Sequence, residues 1–118
     1  FAAVPDLLGE DERITPFAAH MLAHVFADAV PLKITGDVEY LVNRTANSWV
    51  VTLLNNNGVL KPQQGMAQVD RSAYVPATIT LPGSKRANEW TSDTSLTVNN
   101  GRVTVQVPPG GLAIVEIF

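Results

Sequence analysis

With 118 residues the chain can bury roughly two-thirds of its unfolded surface around one core, and its 46% hydrophobic content excludes a disordered segment. A net charge of −3, with acids and bases spread along the chain, leaves no basic cluster for nucleic-acid phosphates or anionic lipid. The absence of cysteine excludes disulfides, thiolate catalysis and Cys-zinc sites, and no apolar run approaches the ~20 residues of a membrane-spanning helix.

Residues 1–14 read as a connector, with Pro5, Gly9 and the acidic run Glu10-Asp11-Glu12. No basic segment precedes the apolar stretch 17–30, so it is not a signal peptide. The compartment does not follow from cysteine content, an extracellular or periplasmic one being favoured. A helix is predicted over 15–31. Thr15 offers an N-cap hydroxyl, Pro16 takes the first helical position where its missing N–H costs nothing, and Pro31 stops the run. Ala18, Leu22, Val25, Phe26 and Ala29 form one apolar stripe, while His20, His24 and Asp28 share another.

Beyond Gly36 the period changes from 3.6 to 2, and residues 36–118 are expected to form an antiparallel β-sandwich of six to eight strands. Residues 38–43 and 49–54 read as central strands joined by a polar turn, apolar on both faces. Asn57-Gly58 suits a turn with positive φ. Residues 61–73 are polar and Gln-rich and carry no clear period. Ala77-Thr-Ile-Thr-Leu81 alternates, as do Leu96 and Val98 with their polar neighbours. Asn100-Gly101 then turns the chain into Arg102-Val-Thr-Val-Gln-Val107, with Val103, Val105 and Val107 inside and Arg102, Thr104 and Gln106 outside. After the turn Pro108-Pro-Gly-Gly111, residues 112–118 make the last strand. Starting at Phe1 rather than Met and closing on this strand pair, the chain is expected to be the C-terminal part of a larger protein.

Chemistry-bearing residues are sparse. His20 and His24, at i and i+4 with Asp28 four further on, have the spacing of metal ligands, but Met21 stands where a zincin carries its general base. A polar stripe facing solvent or a neighbouring domain explains the same three residues and outweighs the metal reading. The eleven acids fall mostly in connectors, turns and outward positions; Glu116, interrupting an apolar run, is the one expected to be half-buried. Trp90, in the polar loop 88–93, and Tyr74 are the aromatics best placed to stack on sugar rings, whereas Trp49 reads as core. Asn43-Arg44-Thr45 matches the N-glycosylation acceptor pattern beside a turn. No phosphate-binding Gly-rich loop, nucleophile elbow or Ser/His/Asp arrangement is present, and no cofactor is implied.

The stretch from Leu32 to Val59, in which a strand pair carrying Trp49-Val-Val-Thr-Leu-Leu-Asn55 leads into the Asn/Gly turn at 56–58, resembles the start of the β-sandwich that follows the catalytic barrel in many glycoside hydrolases. The closing hairpin 101–117 resembles that of the same domains, a valine-rich strand, a Pro-Gly turn and an apolar strand. The resemblance covers residues 16–118 and rests on strand grammar rather than on an active-site motif. It implies that the helix precedes the sandwich, that the acid/base and nucleophile carboxylates lie on barrel strands this chain lacks, and that this chain alone is not an enzyme. The expectation is a non-catalytic accessory domain whose partner is the catalytic domain of its parent, with His20, His24 and Asp28 facing that partner. Two alternatives are an independent carbohydrate-binding module using Trp90 and Tyr74, which would bind polysaccharide, and a structural or adhesion sandwich with a protein-sized partner.

Overall fold

Ten strands account for nearly half of the 89 residues from 30 to 118 that, together with His20, the computed structural model describes. In chain order they are β1 (Lys33–Thr35), β2 (Glu39–Arg44), β3 (Trp49–Leu54), β4 (Val59–Leu60), β5 (Gln68–Val69), β6 (Val75–Thr80), β7 (Ala87–Glu89), β8 (Thr94–Leu96), β9 (Arg102–Val107) and β10 (Leu112–Ile117). All fall within one compact unit, Leu32–Phe118. Apart from His20, Val30 and Pro31, the last two not helical, the helix predicted over 15–31 and the connector 1–14 lie outside the described residues, so His24 and Asp28 do too.

The strands make two principal antiparallel sheets. One has the order β1-β6-β9 and the other β2-β3-β10-β7-β8, while β4 and β5 pair separately. Their inner faces meet in one apolar cluster. Val51 and Leu53 of β3 and Val115 and Ile117 of β10 enter it from the larger sheet, and Ile79 of β6 with Val103 and Val107 of β9 from the smaller. Alternation explains the arrangement, because successive side chains on a strand take opposite faces. On β9 it is complete, with the three valines buried and Arg102, Thr104 and Gln106 exposed, as expected. Each fully buried Val, Leu or Ile contributes about 1.5–3 kcal/mol of transfer free energy, which makes this cluster the main source of stability.

Strands expected from the pattern at 49–54, 102–107 and 112–118 are present, the last ending at Ile117. The expectation that residues 38–43 form a central strand is overturned. β2 is the edge of the larger sheet, and its Tyr40 and Leu41 are exposed. Its apolar character on both faces reflects an edge lying partly outside the shared core, not cover on two sides. Ten strands stand where six to eight were expected, because two- and three-residue strands such as β4, β5 and β7 are too short to display a period.

The turns obey local chemistry. Asn100 and Gly101 both have positive φ, 51° and 73°, between Asn99 and Arg102, which pair with each other. That is the requirement of a type I′ hairpin turn. Gly58 likewise has φ 77°, as its Asn-Gly context predicts. The buried polar side chains Ser48, Asn55, Ser84 and Glu89 all have hydrogen-bond partners, so among the described residues no buried side-chain N or O atom is unpaired.

Candidate functional site

The outer face of the five-stranded sheet is the feature most unlike ordinary solvent-facing sheet. Register places Leu41, Thr52 and Ile114 in one row across β2, β3 and β10, and Leu54 beside Leu112 in the next. Leu41 is 62% exposed and Leu112 41%. Trp90, just past the end of β7, extends the first row: its backbone N–H donates to the Ile114 carbonyl at 2.8 Å. Its indole Nε1–H donates to Glu116 Oε2 at 3.2 Å, leaving the ring 51% exposed. The other carboxylate oxygen of Glu116 accepts from Ser48 Oγ at 2.7 Å. Glu116 is half-buried, as expected, and its role is to hold an aromatic against an apolar face.

Behind Trp90, on the opposite side of the sheet, Glu89 is only 5% exposed. Its Oε1 accepts from the Thr91 N–H (2.9 Å), the Thr91 hydroxyl (2.5 Å) and the Ile114 N–H (3.1 Å). Its Oε2 accepts from the Ser92 N–H (2.7 Å) and the Ser92 hydroxyl. Burial pushes this carboxyl up, but the Ser92 and Thr91 hydroxyls and their backbone N–H groups outweigh it and hold the pKa at about 2. Such a carboxylate has no proton to give near neutral pH, and its lone pairs are occupied. Its role is to fasten the β7–β8 turn to β10. Among eleven acids the sequence offered no sign of this burial beyond the hydroxyls two and three places on, at Thr91 and Ser92.

Tyr74 and Trp90, the aromatics proposed to contact sugar, occupy different surfaces. Tyr74, 55% exposed, borders a cleft of about 280 Å³ with Glu89, Ser92, Leu96, Gln106 and Pro108, which Trp90 does not line. Leu96 also borders a larger cavity of about 880 Å³, lined by Ser95, Thr97, Asn100, Arg102 and Thr104. The two run along the open side between β8 and β9. Trp49 is partly buried against the core, with the Arg44 guanidinium 5.3 Å from its ring centroid. Asn43 of the glycosylation triplet is exposed on β2, and Thr45 Oγ1 accepts from the Ser48 N–H at 2.9 Å.

Among the described residues no group of three or more His, Cys, Asp or Glu could hold a metal ion, and no helix is long and apolar enough to cross a membrane. Of the suggested stripe only His20 is described, and it is exposed. Comparison with protein-family models, with curated proteins and with solved structures finds no match to this chain.

Proposed function

We propose that the two sheets form a β-sandwich that serves as a non-catalytic accessory domain of a larger, glycoside-hydrolase-like protein. The observation that carries this reading is the apolar outer face built from Leu41, Leu54, Leu112, Ile114 and Trp90. A face of that kind, on a sheet whose other side already packs a core, gains stability by covering itself with a neighbouring domain. Covering it removes apolar surface from water and braces the neighbour, and Trp90, tethered by Glu116, is the rigid anchor such a contact favours. A domain docked beside a catalytic barrel in this way also helps to shape the rim of its cleft. The strand grammar of residues 32–59 and 101–117 supplies the parent class, and nothing beyond that resemblance does.

The test begins with the coding sequence upstream of Phe1. A continuous frame encoding alternating strands and helices is expected. In the longer protein, Leu41→Asp with Leu112→Asp should lower the unfolding temperature of the upstream domain while leaving residues 32–118 folded. An upstream domain whose stability ignores both substitutions would overturn the docking surface, and the lack of any such domain would overturn the reading.

The exposure of Trp90 and of Tyr74 also favours a second reading, a carbohydrate-binding module. It requires that Trp90→Ala or Tyr74→Ala weaken retardation of the chain in polysaccharide-containing gels. Equal mobility of the unsubstituted chain with and without polysaccharide removes it.

A further inference from the structure

We infer that the chain pairs with a second copy of itself along the open edge of β9, an association independent of the accessory reading. β9 ends the sheet β1-β6-β9, so one side of it carries no strand within the unit Leu32–Phe118. Which backbone groups face that side follows from the hairpin turn. The Arg102 N–H donates to the Asn99 carbonyl at 2.9 Å and the Asn99 N–H to the Arg102 carbonyl at 2.8 Å, so Arg102 directs both of its backbone groups away from β6. In an antiparallel ladder every second residue points the same way. Thr104 and Gln106 therefore turn their N–H and C=O groups outward too. The partner strand agrees: Gln106 lies opposite Pro76, which has no N–H to offer. Thr104 lies opposite Thr78, with their hydroxyls 2.9 Å apart, the close side-chain approach of a non-hydrogen-bonded pair.

This edge also lacks the usual devices that discourage pairing. No proline, lysine or bulge interrupts residues 103–107, and both Thr104 and Gln106 are exposed beside the cavities along the open side. The occupant is a second copy because the edge is self-complementary. With Asn99 occupying Arg102, the free register is centred on Val105. Thr104 then lies opposite the partner's Gln106, and Gln106 opposite the partner's Thr104, each pair exchanging both backbone hydrogen bonds. No charge meets a like charge in this register, and the inward Val105 meets the partner's Val105, lengthening the apolar inner face.

The experiment is light scattering of the full 118-residue chain over a wide concentration range. The mass is expected to rise from the 12.7 kDa of one chain towards twice that value. Gln106→Pro removes an outward N–H that makes no bond among the described residues, so the chain should keep its circular dichroism and lose the dimer. Val105→Cys, in a chain with no other cysteine, should form an intermolecular disulfide on mild oxidation. Opposed Cα atoms in such a pair lie about 4.5 Å apart, within disulfide reach. A monomer at every concentration overturns the proposal. So does a dimer that survives in Gln106→Pro and fails to crosslink at position 105. Should Gln106→Pro not fold, crosslinking of Val105→Cys decides.

Discussion

The Asn55 side-chain amide donates to the Val107 carbonyl at 3.0 Å, a bond between residues 52 apart that ties the end of one sheet to the end of the other. The same amide donates to the Ala73 carbonyl at 2.9 Å, and Asn55 Oδ1 accepts the Asn57 N–H at 2.8 Å. Its backbone N–H and carbonyl engage Gly111 and Gly110. One residue, 1% exposed, thus fastens the loop before β6, the turn after β3 and the β9–β10 turn.

Replacing Asn55 by alanine should therefore destabilise the unit by about 2–4 kcal/mol, because it removes the bonds to the Val107 and Ala73 carbonyls and from the Asn57 N–H at once. The shift of the urea midpoint at constant slope measures it. A change of a few tenths would mean that water takes over those bonds.

Glu89 makes stability depend on acid. Its folded pKa of about 2 lies below the unfolded reference of 4.5, so the stabilisation is complete above pH 4.5 and is lost as the pH falls towards 2. The contribution at neutral pH is about 2–3 kcal/mol. Urea titrations at pH 6 and pH 3 should differ by a sizeable part of that in the native chain. In Glu89→Gln the stability at pH 6 should fall and the difference between the two pH values should shrink.

Gly101→Ala should cost about 1–3 kcal/mol. The backbone there has φ 73°, and an added Cβ would stand 2.6 Å from the Leu81 carbonyl oxygen, a backbone atom that cannot swing aside. Thermal denaturation beside Gly83→Ala separates the two causes. Gly83 has φ 84° but open space around its Cβ direction, so it should lose only the conformational part.

Burial should also grade the response to truncation. Ile79→Ala, at a fully buried position between the sheets, is expected to lose about 2–5 kcal/mol. Leu41→Ala, 62% exposed, should stay within about 0.5 kcal/mol in the isolated chain. A large loss at Leu41 would show the outer face to be covered already within this chain.

These contrasts explain what could be read in advance. β9 and β10 were legible because Val103, Val105 and Val107 alternate without interruption and Asn100-Gly101 and Pro108-Pro109-Gly110-Gly111 punctuate them. β3 was legible from its apolar density. β2 is legible as a strand but its place in the sheet is not, since Tyr40 and Leu41 carry no mark that distinguishes an exposed edge from a covered centre. β7 was hidden: three residues, Ala87-Asn88-Glu89, with a carboxylate at an inward position, contradict the pattern they belong to, and the bonds that make this tolerable come from Thr91, Ser92 and Ile114. Trp90 was singled out correctly as an exposed aromatic, yet its neighbours Ile114 and Glu116 lie more than twenty residues away and only the β7–β10 pairing brings them to it.

β10 is the tenth strand in sequence but the middle one of its sheet, hydrogen-bonded to β3 on one side and β7 on the other. β3 and β7 make no pairing with each other, so the two halves of the larger sheet, β2-β3 and β7-β8, are joined only through β10. The larger sheet therefore cannot close before residues 112–117 have been made, which leaves its completion to the last strand of the unit.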